Sequence, residues 1–131
     1  MNRIIYIKTP KHTISLSLDK ILFAISIMIT KEMLSKKGTR ITIYGSKKVS
    51  EYFREFYNYV EKIGYGDLLN YINRKNIRES LDLLSKLGII QKDEKGYYIS
   101  SENNIYKKVK EYIKNGYGEK DIITSLYQDL S

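Results

Sequence analysis

The chain contains no cysteine, no tryptophan, one proline (Pro10), one alanine (Ala24) and one histidine (His12). Without cysteine there is no disulfide scaffold, no thiolate zinc site and no thiol nucleophile. A single imidazole excludes histidine-based metal clusters and two-histidine nicking sites. The HExxH and GxSxG patterns are absent, and no recognisable motif sets out a pair of carboxylates. Tyrosine is plentiful, at 13 residues, but no arginine and histidine constellation stands by to activate one as a nucleophile. We therefore expect no enzyme: no catalytic residue, no metal and no cofactor. Long apolar runs are also missing. The longest, ILFAISIMI from Ile21 to Ile29, is roughly half of what a bilayer crossing requires. No basic-then-apolar leader opens the chain, so no membrane partner and an intracellular, cytoplasmic location are expected.

What remains is a chain of 131 residues with 42% hydrophobic and 29% charged side chains. That balance suits a folded domain with a real core. The net charge of +8 favours an anionic partner. The excess is uneven. Residues 1–46 carry 8 basic and 2 acidic side chains, residues 47–100 carry 10 and 8, and residues 101–131 carry 5 and 5. Isoleucine, lysine, tyrosine and asparagine crowd the chain, and that skew resembles small proteins of crenarchaeal viruses and archaeal mobile elements. For a viral protein the location would be the host cytoplasm.

Apolar spacing predicts the elements in turn. RIIYIK (Arg3 to Lys8) reads as a strand, broken at Pro10. From Ser17 a helix follows, with Leu18, Ile21, Leu22, Ile25, Ile29 and Met33 in one stripe and Phe23, Ile27 and Leu34 on a second face. A helix apolar on two sides is buried on two sides, so it is either central or a dimer interface. RITIY (Arg40 to Tyr44) is a second strand, followed by a helix from Ser46 to about Ile63 and a short helix from Asp67. The last 31 residues read as a helical hairpin, with Ser101 as a candidate cap and Gly116 in the turn.

The stretch NRKNIRESLDLLSKLGIIQKDEKGYYIS (73–100) carries the sharpest signal. Asn76 with Glu79 three residues later is a capping-box pattern, predicting a helix from Ile77. Ile77, Leu81 and Leu84, widened by Leu83 and Leu87, form its apolar face, with Arg78, Asp82, Ser85 and Lys86 opposite. Gly88 ends the helix. Ile89 and Ile90 begin a strand, DEKG turns, and Tyr97 to Ser100 return.

This order of elements resembles a winged helix-turn-helix, and the LLSKLGII…KGYYIS run is similar to that family's junction between third helix and wing. The resemblance covers about residues 47–100. It implies an α+β fold: a winged-helix unit at 47–100, a strand-helix-strand extension at 1–46 as a candidate dimerisation element, and a helical hairpin at 101–131. It also implies sequence-specific binding of double-stranded DNA by a homodimeric transcriptional regulator. Carried over by position, Asn76, Arg78 and Ser85 become base-reading candidates, and Arg74, Lys75 and Lys86 phosphate or flanking contacts. Lys92 and Lys95 become wing contacts to the backbone, and Tyr97 or Tyr98 packs beside sugar.

Blander readings stand beside these. Arg74, Lys75 and Arg78 also suit a solvated helix start, and Lys92 and Lys95 suit protection of an edge strand. Asp82 sits within the proposed DNA face, and Asp93 and Glu94 offset the wing lysines. Tyr52, Tyr57, Tyr59 and Tyr112 fit packing, and His12 a solvated loop. Arg3, Lys8, Lys11, Lys36, Lys37 and Arg40 make a basic N-terminal set that is either a second DNA surface or simply hydrated. Gly45-Ser46 opening a helix is a weak phosphate-turn signal. The alternatives to a DNA regulator are a protein-docking module and an architectural protein of a virus or mobile element.

Overall fold

Two strands, Ile4–Lys8 (β1) and Thr13–Ser17 (β2), pair antiparallel, with Ile5 opposite Leu16 and Ile7 opposite Ile14. The computed structural model describes residues 4–8, 13–45 and 48–131. Arg3, Pro10, Lys11, His12 and Ser46 lie outside the described residues. β2 occupies TISLS, between the break at Pro10 and the helix, where no strand is expected, and it takes in Ser17, the expected helix start. Its apolar residues alternate with serine, a strand period that gives way to helical spacing at Leu18.

The helix Leu18–Ser35 (α1) is the centre of the protein. Ile21, Ile25, Ile27, Met28 and Ile29 are each at most 1% exposed. It packs against four later elements: the strand Arg40–Gly45 (β3), the helix Arg74–Lys86 (α3), and the C-terminal helices Asn104–Lys114 (α4) and Glu119–Leu130 (α5). Both apolar faces are thus covered by the chain's own elements. Of the two placements the sequence left open for this helix, the central one holds. Leu34, near its end, is exposed.

After β3 come the helix Val49–Lys62 (α2), a 3-10 helix at Gly66–Asn70, then α3 and the hairpin of strands Gln91–Asp93 (β4) and Gly96–Ser100 (β5). β5 is the middle strand of a three-stranded antiparallel sheet ordered β3-β5-β4, with Ile41 opposite Ile99 and Gln91 opposite Tyr98. Pairing of β3 with β5, and packing of α1 on α3, cross the division drawn at residue 46. The molecule is α+β, with five helices and one small three-stranded sheet besides the β1–β2 ribbon among the described residues.

Three local expectations shift. The α3 cap is Asn73 rather than Asn76, one turn earlier: the Asn73 side chain accepts from the Asn76 amide at 2.8 Å, and Asn76 Oδ1 accepts from the Asn73 amide at 2.8 Å. Arg74 and Lys75 therefore lie in the first helical turn. The α4 cap is Asn103, which accepts from the Ile105 amide at 2.7 Å, in place of Ser101. The hairpin turns on Glu94 and Lys95 alone, since Asp93 pairs with Gly96. Gly96 stands at φ +129°, and a Cβ there would meet the Tyr44 carbonyl oxygen at 2.1 Å, so β3 can lie against the turn only because this residue is glycine.

Candidate nucleic-acid interface

The face of α3 turned to the core is narrow. Ile77, Leu81 and Leu84 are buried together with the small polar Asn76 and Ser80. Leu83 and Leu87, expected to widen that face, are 38% and 64% exposed. Lys75, Arg78 and Lys86 are exposed, and none of them makes an ion pair among the described residues; the same is true of Lys95 at the hairpin tip. Arg74 is exposed as well, with its guanidinium carbon 5.5 Å from the Phe53 ring centroid of α2, a cation–π placement that steers it toward α2.

Asp82 is the carboxylate that most threatened this face. Its Oδ1 accepts from Lys92 Nζ at 2.8 Å and from the hydroxyl of Tyr97, joining α3 to both strands of the hairpin. Those two bonds hold its carboxyl below the usual carboxylate range, with a smaller pull from the charge of Lys86. Tyr97 is buried, and burial first, then its bond to Asp82, pushes the phenol up to about 12. Asp93 is taken up in the same way. The Arg40 guanidinium, lying 3.5 Å from the Tyr98 ring centroid, pairs with it, and the Lys95 amide donates to its other oxygen at 2.8 Å. Asp93 too is held below the ordinary range, chiefly by Arg40. The hairpin is therefore gripped twice, by α3 through Asp82 and by β3 through Asp93. Of the four carboxylates near the face, Glu79 and Glu94 alone keep their charge uncompensated by an ion pair among the described residues.

Between α3 and the hairpin lies a cleft of about 300 Å³, lined by Arg78, Lys92, Glu94 and Tyr97 with Tyr44 and Val49. The sequence held no signal for Tyr44 or Val49, which arrive from β3 and α2 through tertiary packing. No family model, no curated protein and no solved structure matches this chain.

Several of the sequence candidates are engaged within the protein. Asn76 is 4% exposed and spent on the cap, with its Nδ2 donating to the Tyr71 carbonyl at 3.1 Å. Tyr97 is 3% exposed and bonded to Asp82, so it braces the hairpin and cannot pack beside a sugar; Tyr98, half-buried beneath Arg40, is engaged there. Ser85 is half-buried and donates to the Asp82 carbonyl at 2.9 Å, which uses its one hydroxyl proton. Lys92 is exposed but committed to Asp82. What the fold leaves exposed and outside any ion pair among the described residues is Lys75, Arg78 and Lys86 on α3, with Lys95 at the hairpin tip. Among the described residues no group of acidic or histidine side chains suits a metal ion, and no helix is long and apolar enough to cross a membrane.

Proposed function

We propose that α1, β3, α2, α3 and the β4–β5 hairpin form a winged helix-turn-helix that binds double-stranded DNA with sequence preference, acting as a transcriptional regulator. The observation that carries this reading is the outward side of α3. Its lysines and arginine make no ion pair among the described residues, while Asp82, which would repel phosphate, is compensated by the hairpin. In this reading Arg78, beside the cleft, reads a base edge, because a guanidinium can pair bidentately with guanine. Lys75, Lys86 and Lys95 meet phosphates, and the first-turn amides of Arg74 and Lys75, outside the intrahelical ladder, favour an anion nearby.

A surface with so few available cations binds weakly and with strong salt dependence. A homodimer would supply a second half-site. The buried α1 cannot be its interface, which leaves other surfaces, such as the C-terminal hairpin, for that role. The experiment is fluorescence anisotropy on DNA from the protein's own promoter region, with unrelated duplex as competitor. Arg78→Ala should abolish the preference between the two. Lys95→Ala should weaken both and flatten the salt slope by about one unit. Wild-type behaviour in both variants would remove DNA from this face.

The second reading, a protein-docking module, has its own observation. Leu83 on α3 and Leu87 at its C-cap stand one turn apart and are exposed. If they anchor a partner, Leu87→Ser abolishes capture of that partner and leaves DNA affinity unchanged.

A further inference from the structure

A second cleft, of about 350 Å³, opens between α1 and the 3-10 helix and is lined by no residue of α3. That volume falls in the range of small-molecule sites, roughly 300–1,000 Å³. We propose that it binds a small planar aromatic anion, of the aryl carboxylate class.

The walls argue for a flat ring. Phe23 lines the cleft from α1, held edge-on by Tyr65 at 5.0 Å and by Tyr127 of α5 at 5.4 Å, so three rings of one cluster fix its plane. Leu68 and Tyr71 line it from the 3-10 segment, and Tyr71 is 53% exposed. The rim argues for an anion. Lys20 Nζ stands 3.1 Å from the Tyr71 ring centroid, and Lys120 Nζ lies 5.5 Å from that of Tyr65. Lys120 also reaches the edge of the cleft at Gly64, where a Cβ would lie 3.4 Å from its nitrogen. Neither lysine makes an ion pair among the described residues, and Asp67 is the only carboxylate among the described lining residues.

A neutral aromatic would cover the rings but leave the two ammonium groups, each set over a tyrosine ring, without a counter-ion among the described residues. A bare oxyanion would answer them and leave the rings exposed. A ring carrying a carboxylate at its edge satisfies both at once. The site is also joined to α3 by a hydrogen bond: the Tyr71 carbonyl is the acceptor for Asn76 Nδ2, inside the α3 cap. The binding site stands whether or not α3 reads DNA.

The test is a titration of the full chain with naphthoate, followed by calorimetry and by two-dimensional amide NMR. Saturable one-to-one binding is expected, with the largest shifts around Tyr65 and Tyr71. Tyr71→Ala and Lys20→Gln should each weaken it by about fivefold or more, and Lys107→Gln, on α4, should leave it unchanged. Naphthyl methanol, which has the ring without the charge, should bind at least about fivefold more weakly. The proposal falls if naphthoate shows no saturable binding up to about 5 mM, if both variants bind as wild type does, or if the neutral alcohol binds equally well. Should Tyr71→Ala unfold, Lys20→Gln decides the matter alone.

Discussion

α1 and α3 are both helices of this domain, yet they handle charge in opposite ways. α1 is submerged, and its carboxylate Glu32, 3% exposed, is answered from its own helix and the segment that follows, by Lys31 at 3.2 Å and Lys36 at 2.9 Å. α3 buries only a strip, and its partly shielded carboxylate, Asp82, is answered from the hairpin. The first arrangement lets a charged residue ride in a central helix. The second ties two elements together and leaves the α3 cations outside any ion pair among the described residues. α3 thus keeps exposed cations on one side beside a braced hairpin, whereas α1 is packed against its neighbours along most of its length.

The contrast is most exposed to test at the core. Ile29→Ala in α1 and Leu81→Ala in α3 each delete a fully buried side chain, and each should cost about 2–5 kcal/mol in urea unfolding. A much smaller loss for Leu81→Ala would mean that α3 is only loosely held against α1. Next comes the brace. Asp82→Ala removes the charged acceptor of the part-buried Tyr97 hydroxyl and should cost about 1–3 kcal/mol. Adding Tyr97→Phe should recover part of that loss, which a double-mutant cycle measures. The cap follows, with Asn73→Ala expected to cost about 1 kcal/mol of stability by the same urea assay.

Acid sharpens the contrast further. Asp82 and Asp93 have folded-state values below the ordinary one, so the unfolded chain binds protons more readily. Their contribution is complete above the ordinary value, about 4, and is lost as pH falls through the lowered ones. The urea midpoint of the wild type should therefore drop more steeply below about pH 4 than that of Asp82→Asn. The difference should be modest, because both carboxylates are partly solvated. The smallest stability effect belongs to Arg78→Ala and Lys86→Ala, within about 0.5 kcal/mol, even though the same changes should show plainly in DNA affinity.

Much of this was legible because it is short-range. Gly88 at φ +75° ends α3 where the pattern LLSKLG places the stop, and the stripe Ile77, Leu81, Leu84 is the buried one. Arg78 and Lys86 are exposed where helical spacing puts them, while Lys75, expected in the turn before the helix, is exposed within its first turn. N-R-K-N holds two asparagines three apart, each a cap by residue type, and the helix starts at the first of them, with Asn76 closing the box from the third helical position. Leu83 and Leu87 fit the apolar stripe by periodicity, but no neighbouring element reaches far enough round α3 to cover them. Ser85, Asn76 and Tyr97 were offered to DNA because their side chains suit it, and nothing local in the sequence marks their competitors. Those competitors are, in turn, the Asp82 carbonyl, the Tyr71 carbonyl and the Asp82 carboxylate.

By itself the sequence determined where helices stop, which stripe of each is apolar, how much positive charge is present, and that thiol chemistry and sites needing two imidazoles have no material to work with. Tertiary structure alone decided that β3 closes the sheet against β5, that Lys92 and Tyr97 belong to Asp82, that Arg40 belongs to Asp93, and that Phe23, Tyr65 and Tyr71 meet around a cleft. The division has a physical cause. Helical period, caps and positive-φ turns are settled by groups a few residues apart. The Lys92–Asp82 and Arg40–Asp93 pairs instead join residues 10 and 53 positions apart, and they exist only once the intervening chain has folded back.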